Sequence, residues 1–528
     1  MKLKTLLMKK VMATALVGLL VFPLSGCSEE ENVEAYYEET EYSDYDFDGD
    51  YEDLPEAYEE LPEEYEAGDY SGDESFGIVE NAYLKFAQNE ELQAELASEI
   101  NAKNGPIPSS YVDEDMDYYE ITHNGKTMKF LMEEKGERDE NGLTPLYITL
   151  HGGGESDSKD NNDQWLEMFQ YYNNAVENGI YIACRGITDT WDLHFQEDSY
   201  VLYDRLIEAM IVNYNVDPDR VYLLGFSAGG DGVYQIAPRL ADRFAAVNMS
   251  SGHPNGVKLI NLSNCPISIQ AGIRDYYSAD AMRSVRAAEF EQTLSDYQDK
   301  YGPGYEHEVW IHVPAGHNYV DYEDSDSMVL SNPKEFADRA VTEDFLGQFM
   351  EIAESCSLDS DVTSLSYYSD GANEEFDGLM AGYITENLGL ETAIENTNAV
   401  AYVSQFTRNP APDHIVWDLS TRASKREKDT FYWLEADPSV NSGVITASFD
   451  SDTNTITVEP DEDVNGDFAI LIHPDLVDMA RPLTIKTKDV SKTFDIDPSA
   501  DFLEKSMIEN GDPKLACVEK IMYSSLYY

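Results

Sequence analysis

A serine lies between small residues in the stretch Gly225-Phe226-Ser227-Ala228-Gly229, which fits the pattern G-x-S-x-G. The apolar run RVYLLG leads into it and the run AGGDGVYQIAPRL follows it. This order predicts a strand, a tight turn and a helix, the arrangement that lifts a nucleophilic serine above a sheet. Glycines are needed there because the turn is strained and larger side chains would clash with neighbouring strands. Ser227 is therefore the candidate nucleophile, and the N–H of Ala228 is a candidate donor to an oxyanion.

A serine hydroxyl is a weak nucleophile unless a base activates it and a third group holds that base. His317 follows the apolar run EVWIHVP, and Asp275 follows the run PISIQAG. We expect both runs to be strands of one sheet, so these residues would sit on loops at its edge. The assignment is then Ser227 as nucleophile, His317 as proton carrier and Asp275 as the group that orients the imidazole. Asp280 is the alternative acid.

Three glycines follow a histidine directly after the apolar run PLYITL, in His151-Gly152-Gly153-Gly154. Glycines allow the backbone to approach a substrate and to present N–H groups where negative charge develops. We expect the second oxyanion donor to be Gly153 or Gly154, and the pattern leaves that choice open. A phosphate-binding loop would instead need GKS/T or GxGxxG, and neither follows here.

The segment RGITDTWDLHF comes after the next predicted strand, Tyr181–Cys184. Its position predicts that it faces the same edge of the sheet. Trp191 and His194 are therefore candidate substrate-binding residues. The alternative for Trp191 is a place in the core, where tryptophan is more common.

Strand-like and helix-like runs alternate from residue 145 to residue 353. This alternation predicts βαβ units and a doubly wound, mostly parallel α/β sheet. A helix over residues 79–103 and a hairpin around Asn124-Gly125 precede it. The predicted strands are 145–150, 181–184, 220–225, 244–249, 266–271 and 308–313. The predicted helices are 163–177, 200–214, 228–240, 281–301 and 334–353.

The amino terminus carries a short targeting signal. Lysines at positions 2, 4, 9 and 10 precede an apolar run that is too short to span a bilayer comfortably. Leu24-Ser25-Gly26-Cys27 then resembles a bacterial lipobox, in which the cysteine is acylated. The alternative is an ordinary secretory signal with a chance cysteine. We expect residues 1–27 to be a lipoprotein signal with lipidated Cys27, and the protein to be held at the outer face of the membrane.

An acidic segment separates the signal from the rest of the chain. Residues 29–74 contain 22 Asp and Glu and no Lys or Arg. Such a segment repels itself and cannot bury a core, so residues 28–76 are predicted to be a disordered tether. We expect residues 77–354 to form the catalytic domain.

The charge of the whole chain excludes some classes of function. The 528 residues include 103 Asp and Glu but only 35 Lys and Arg, for a net charge of −68. Such a chain repels phosphate backbones, so we expect no nucleic-acid partner and contact with the membrane through the lipid alone. His and Cys are too few for a disulfide scaffold or a multi-zinc protein, and no metal or organic cofactor is implied. Whether Cys356 and Cys517 pair stays open.

Residues 355–528 have a different pattern. A helix is predicted over 373–388, then short strands with turn signals from residue 414 onward, which indicates a β-sandwich-like module. Helices are predicted over 500–507 and 518–522. Trp417, Tyr432 and Trp433 are either core residues or a face on which carbohydrate stacks.

Residues 118–352, with the motifs above, resemble the α/β-hydrolase superfamily. The stretch VDPDRVYLLGFSAGGDGVYQIAPRLADRFAAV looks like secreted esterases of the polyhydroxybutyrate-depolymerase-like and feruloyl-esterase-like kind (carbohydrate esterase family one). It is also similar to prolyl-oligopeptidase-type peptidases and dienelactone hydrolases. The resemblance implies the triad Ser227, Asp275 and His317. Ala228 stands where related esterases often have Met or Gln, so the pocket edge differs.

These observations predict a surface-anchored serine carboxylic ester hydrolase that works through an acyl-enzyme. Its substrates would be esters, including acetyl or feruloyl groups on polysaccharides. One alternative is a prolyl-oligopeptidase-like serine peptidase, although no repeat of propeller-blade length is visible. The other is a non-catalytic polysaccharide-binding surface protein. The acyl group, the alcohol and the oligomeric state stay open.

Overall fold

The structure is a computed structural model that describes residues 94, 97–98, 111–113, 116–278, 281–368, 373–422 and 428–528. The chain divides into two units, Met1–Tyr70 and Ser71–Tyr528, and all described residues belong to the second. The predicted signal, Cys27, the acidic segment and Asp280 lie outside the described residues. Of the helix predicted over 79–103, residues 94, 97 and 98 are described, and they are helical.

One large sheet of eleven strands organises the described part of the chain. Its strands are β1 (Tyr111–Asp113), β2 (Met116–His123), β3 (Lys126–Lys135), β4 (Thr144–Leu150), β5 (Gly179–Cys184), β6 (Val216–Phe226), β7 (Ala246–Ser250), β8 (Ile267–Gly272), β11 (His307–His312), β12 (Asp326–Leu330) and β13 (Thr392–Asn396). Their spatial order is β1-β2-β3-β5-β4-β6-β7-β8-β11-β12-β13. The small hairpin β9 (Tyr276–Ser278) and β10 (Ala281–Met282) stands apart after β8.

The centre of this sheet, from β5 through β4, β6, β7 and β8 to β11, is parallel. The strands on either side of that centre pair antiparallel, so the predicted mostly parallel sheet has antiparallel edges. Every residue of β5, β7 and β8 is buried. Helices on both faces bury parallel strands in this way, which explains why these strands read as continuous apolar runs rather than alternating ones.

Helices connect the strands of the sheet or follow them. They are α1 (Ser158–Tyr171), α2 (Glu197–Tyr214), α3 (Ala228–Ile236), α4 (Arg283–Tyr301), α5 (Pro333–Ala340), α6 (Phe345–Ser355), α7 (Val362–Tyr367), α8 (Glu374–Gly382) and α9 (Ala399–Val403). Single turns of 3₁₀ helix are Asn173–Ala175, Ala237–Arg239, Ala241–Arg243, Ile260–Asn264, Leu419–Thr421, Pro513–Leu515 and Tyr523–Tyr527, and a π turn is Tyr383–Asn387. The hairpin around Asn124-Gly125 and the alternation of strands and helices are confirmed.

Two predicted helices are wrong in detail. The helix predicted over 334–353 is two helices, α5 and α6, because Asp344 begins a new helix by accepting the N–H of Gly347. The predicted helix over 518–522 is instead strand β22 (Glu519–Met522), which pairs antiparallel with β19 (Phe468–Ile472). A free sheet edge can override local helix propensity in this way.

The carboxy-terminal residues form two further sheets. Their strands are β14 (His414–Asp418), β15 (Thr430–Phe431), β16 (Leu434–Ala436), β17 (Val444–Asp450), β18 (Thr455–Pro460), β19, β20 (Leu483–Lys486), β21 (Ser491–Phe494) and β22, and α10 is Ala500–Asn510. The two sheets run in the orders β14-β17-β18-β20-β21 and β15-β16-β19-β22. Trp417 of one stacks on Phe431 of the other, with ring centroids 5.5 Å apart, so the sheets share a core.

The three aromatic residues of this module that could have formed a carbohydrate-stacking face are buried. Trp417 and Tyr432 are each 2% exposed and Trp433 is fully buried. Their burial contradicts the carbohydrate-stacking alternative and supports the core interpretation. Cys356 and Cys517 are both free thiols in the structure, so they do not pair.

The expected boundary at residue 354 does not separate the elements in space. Strand β13 extends the large sheet by pairing antiparallel with β12. Buried ion pairs also join the two regions: Arg408 donates to Asp219 at 2.8 Å and to Asp512 at 2.8 Å. The Arg408 side chain is fully buried and that of Asp512 is 1% exposed.

These buried charges lead to a stability prediction. Arg408→Ala leaves the carboxylates of Asp219 and Asp512 without their shared partner, so we expect the free energy of unfolding to fall by about 3–5 kcal/mol. Urea unfolding followed by tryptophan fluorescence measures it. Arg286→Ala is the matched control, because Arg286 forms an exposed pair with Glu289, and its loss should cost less than about 1 kcal/mol. Equal effects of the two changes would contradict the prediction.

Among the described residues, the helices do not combine enough length with enough apolar character to cross a membrane. The same residues hold no cluster of three or more His, Cys, Asp and Glu arranged to bind a metal ion.

Candidate active site

Ser227 occupies a sharp turn between β6 and α3. Its backbone has φ 58° and ψ −121°, a conformation that non-glycine residues rarely adopt. A β-carbon on Gly225 would lie 2.2 Å from the carbonyl oxygen of Gly229, and one on Gly229 would lie 2.0 Å from that of Leu150. Neither contact is possible, so glycine is required at both positions. The turn thereby presents the serine at the carboxyl edge of the sheet, as the sequence predicted.

The structure brings Ser227, His317 and Asp275 together in one hydrogen-bonded chain. Ser227 Oγ lies 2.9 Å from His317 Nε2, and His317 Nδ1 lies 3.0 Å from Asp275 Oδ2. His317 is 3% exposed and Asp275 is fully buried. Because a carboxylate only accepts, His317 donates Nδ1–H to Asp275, which leaves Nε2 as the acceptor facing the serine hydroxyl. This is the tautomer that a general base needs.

Asp275 is held as a carboxylate. Burial alone would raise its pKa, but the neighbouring His317 ring, the Arg283 guanidinium and the hydrogen bonds from His317 and Ser366 outweigh burial and lower it to about 2. Arg283 Nη1 lies 3.2 Å and Ser366 Oγ lies 3.0 Å from Asp275 Oδ1. The carboxylate therefore stays charged at neutral pH and can stabilise an imidazolium.

The predicted oxyanion loop follows β4, and one of its two candidate donors is engaged by a side chain in the structure. The N–H of Gly154 is already donated to Asn161 Oδ1 at 2.8 Å. Gly153 has a φ of +97°, and a β-carbon on its neighbour Gly152 would lie 3.2 Å from Cβ of Ser227. The loop thus passes directly beside the serine. Because the N–H of Gly154 is engaged, Gly153 stays the candidate second donor beside Ala228 at the start of α3.

Two buried histidines support this loop. The N–H of Gly186 is donated to His151 Nε2 at 3.1 Å, so His151 carries its proton on Nδ1 and donates it to the carbonyl of Gly152 at 2.5 Å. Burial, with the nearby His194 and Arg185, holds the pKa of His151 well below its ordinary value. His151 is therefore neutral and braces the backbone beside the serine.

His194 was expected at the substrate pocket and instead lies beneath the loop. It is fully buried, and its Nε2 donates to the carbonyl of His151 at 2.9 Å while its Nδ1 lies 3.0 Å from the hydroxyl of Tyr203. Burial lowers its pKa to about 3. With both nitrogens engaged by the protein, His194 positions the loop and has no face toward a substrate.

Trp191 lies at the surface of the same loop region. Its side chain is 52% exposed and its ring meets that of Phe195 edge-on at 5.3 Å. A β-carbon on Gly154 would lie 3.3 Å from Cα of Trp191. Trp191 therefore flanks the oxyanion loop. Its contact with a substrate stays a prediction.

Sequence reasoning missed several residues of the site. Asn161 is fully buried and orders the oxyanion loop, and its place just after the HGGG motif was an available signal. Arg283 and Ser366 reach Asp275 from α4 and α7, and their sequence context carries no such signal. Tyr367 is half exposed, and its ring meets the imidazole of His317 edge-on at 4.9 Å.

The placement of these groups on the sheet decides the fold. The serine follows β6, the aspartate follows β8 and the histidine follows β11, all at the carboxyl edge of the parallel centre of the sheet. The sharp turn at Gly225–Gly229 that carries Ser227, the elbow, lies between a strand and a helix. The oxyanion loop follows the neighbouring strand β4. The chain has an α/β-hydrolase fold.

Comparisons with known proteins give partial similarities. No family model matches the chain. Over 115 residues it is 32% identical to a bifunctional acetylxylan esterase/xylanase of Neocallimastix patriciarum, a match that covers 21% of this chain and 16% of that protein. The chain therefore spans about a sixth of the length of the curated relative that it matches.

Solved structures of esterases are also similar. A thermostable esterase is 17% identical with a TM-score of 0.28, covering 36% of this chain and 53% of its own. Est1E from Butyrivibrio proteoclasticus is 13% identical with a TM-score of 0.25, covering 43% of this chain and 99% of its own. These scores are low, so the fold assignment rests on the strand order and the elbow.

Proposed function

We propose that this protein is a serine hydrolase that cleaves carboxylic esters through an acyl-enzyme. The observation that carries the proposal is the hydrogen-bonded chain from Ser227 through His317 to the buried carboxylate of Asp275. It is supported by the strained elbow and by a glycine loop beside the serine. The acetylxylan esterase similarity is consistent with esters as substrates.

The geometry accounts for each step of such a reaction. His317 Nε2 takes the proton from Ser227 Oγ as the oxygen attacks the ester carbonyl. The N–H groups of Ala228 and Gly153 stabilise the negative charge on the former carbonyl oxygen. His317 then gives its proton to the departing alcohol, which leaves an acyl group on Ser227. Water, deprotonated by the same histidine, attacks that acyl group, and His317 returns the proton to Ser227 Oγ as the bond to the acyl group breaks and the acid leaves.

The expected cellular setting is also a proposal. The motif at Leu24–Cys27 supports a lipid anchor on Cys27, and the acidic segment 28–76 would then extend the enzyme away from the membrane surface. An enzyme on such a tether fits extracellular polymers, so esters on polysaccharides are the proposed substrates. Labelling cells with radioactive palmitate, with Cys27→Ala as control, tests the anchor.

The proposal is tested with a fluorescent fluorophosphonate, which reacts with activated serines. Wild type should be labelled, whereas Ser227→Ala and His317→Ala should not. Wild type that has not been exposed to the label is then compared on p-nitrophenyl acetate and on a Gly-Pro anilide. Faster turnover of the anilide would favour a peptidase. Absence of labelling, with polysaccharide binding unchanged in Ser227→Ala, would instead favour a non-catalytic binding protein.

Trp191 gives a prediction about substrate size. Its exposed ring beside the oxyanion loop suits stacking against a sugar of an esterified polysaccharide. We expect Trp191→Ala to raise KM for an acetylated xylo-oligosaccharide about tenfold, equivalent to about 1.4 kcal/mol. KM for p-nitrophenyl acetate should stay unchanged, because that small ester has no sugar. Tyr527→Ala, an aromatic of similar exposure at the carboxy terminus, is the control, and a KM increase of the same size there would contradict the prediction.

A further inference from the structure

A short helix from beyond the predicted catalytic domain lies against the catalytic residues. Helix α7 spans Val362–Tyr367 and is capped by Asp361, whose side chain accepts the N–H of Ser364. Ser366, in its last turn, is 1% exposed. Ser366 has no part in the proposed steps of ester hydrolysis.

We infer that Ser366 is a positioning residue that fixes the Asp275 carboxylate and the His317 loop relative to each other. This inference rests on the proposed ester hydrolysis at Ser227. The hydroxyl of Ser366 donates to Asp275 Oδ1 at 3.0 Å, while His317 Nδ1–H is donated to Oδ2 at 3.0 Å. Bonds to both oxygens fix the plane of the carboxylate, so that Oδ2 stays aimed at the imidazole.

Ser366 also holds the base directly. Its carbonyl oxygen accepts the backbone N–H of His317 at 2.6 Å. A β-carbon on Gly316 would lie 2.1 Å from that carbonyl oxygen, so glycine at position 316 permits this close approach. Ser366 therefore bonds both the acid, Asp275, and the base, His317.

Arg274 fastens α7 to the end of β8. Its Nη1 donates to the carbonyl of Leu365 at 2.6 Å and its Nη2 to that of Tyr368 at 2.8 Å. The side chain is fully buried, and the next residue in the chain is Asp275. The carbonyls on both sides of Ser366 and Tyr367 are thus anchored to the loop that carries the acid. Helix α7 is therefore a structural part of the site.

The hydroxyl can be removed without disturbing these backbone contacts. In Ser366→Ala, Asp275 Oδ1 keeps Arg283 but loses its bond from α7. A hydrogen bond to a charged group is strong enough that we expect kcat to fall roughly ten- to hundredfold. KM should stay within about twofold, because Ser366 is buried beneath the site and acts through Asp275.

The test measures kcat and KM for p-nitrophenyl acetate per active site, with sites counted by the endpoint of fluorophosphonate labelling. Ser364→Ala is the matched control, since the hydroxyl of Ser364 bonds Asp361 on the exposed side of the same helix at 2.7 Å. It should match wild type. Ser366→Thr, which keeps a hydroxyl, should retain more of kcat than Ser366→Ala. A Ser366→Ala enzyme with kcat within twofold of Ser364→Ala, or a Thr variant as impaired as the Ala variant, overturns the inference.

A second measurement does not need turnover. The proton that His317 donates to Asp275 should give a far-downfield proton NMR resonance, identified by its loss in His317→Ala. We expect that resonance to shift in Ser366→Ala and to stay in place in Ser364→Ala, and an unshifted resonance in Ser366→Ala counts against the inference. Failure of wild type to label with fluorophosphonate would instead count against ester hydrolysis itself, so the two failures are distinguishable.

Discussion

Ser227→Ala is expected to lower kcat for ester hydrolysis by on the order of a millionfold, since loss of the nucleophile removes the whole acyl-enzyme route. The 2.9 Å contact with His317 is the physical basis, because the imidazole then has no hydroxyl to deprotonate. Steady-state hydrolysis of p-nitrophenyl acetate at high enzyme concentration measures the residual rate. Single-turnover mass spectrometry should find an acetyl group on wild type alone.

The control for this change is Ser268→Ala. Ser268 is also fully buried in the central sheet, where its hydroxyl donates to Asn248. That variant should keep wild-type kcat. If Ser227→Ala kept more than about one part in a hundred of the rate, a different nucleophile would have to be responsible.

The strained backbone at the elbow gives the same position a second readout. Ser227 has a positive φ, which glycine adopts without cost. Ser227→Gly should therefore be as inactive as Ser227→Ala but more stable by about 1 kcal/mol in urea unfolding.

Asp275→Asn should lower kcat by about ten-thousandfold while leaving the backbone in place. An asparagine side chain can donate to Nδ1, which favours the tautomer with its proton on Nε2. That proton would face Ser227, so the imidazole could no longer accept from it. Kinetics of p-nitrophenyl acetate hydrolysis across pH provide the measurement.

The control for Asp275→Asn is a second buried carboxyl group, Asp321. Burial raises the pKa of Asp321 to about 6, although Ser250 and Tyr172 donate to it. Asp321→Asn should keep activity within about fivefold, since Asp321 bonds Ser250 and Tyr172 and does not bond His317 or Ser227. If both variants lost activity to a similar extent, disturbance of the buried network would explain the loss, which would contradict the prediction.

The lowered pKa of Asp275 also predicts a pH dependence of stability. A carboxyl group whose folded pKa is about 2, below its ordinary 3.8, stabilises the folded state above pH 3.8. That contribution is lost as pH falls from 3.8 through about 2. The stability difference between wild type and Asp275→Asn should therefore shrink over this window.

The local motifs could be predicted from the sequence because their chemistry restricts which residue types can stand beside them. The elbow needs glycine where a β-carbon would strike a carbonyl, as Gly225 and Gly229 show. Parallel strands covered on both faces must be apolar throughout, so β5 and β8 read as unbroken apolar runs. The alternation of strands and helices and the chain order of serine, aspartate and histidine could therefore be predicted as well.

The partners that orient these motifs could not be predicted in this way. Ser366 lies 91 residues from Asp275 in sequence, and a hydroxyl on a short helix carries no pattern that links it to a carboxylate. His194 was predicted to bind a substrate because its segment follows a strand. Its ring is instead buried and donates to the carbonyl of His151. Likewise β22 was predicted to be helical and became a strand because the edge of β19 was there to pair with it.

The sequence by itself determined the α/β architecture and the residues of the proposed relay, since both depend on local rules of turn geometry and periodicity. Tertiary structure alone decided that the N–H of Gly154 is donated to Asn161, which leaves Gly153 as the remaining candidate donor. It also decided that α7 completes the site and β13 the sheet. The places of α7 and β13 depend on which long-range surfaces meet, and a contact such as that of Ser366 with Asp275, 91 residues away, leaves no signature in the order of side chains.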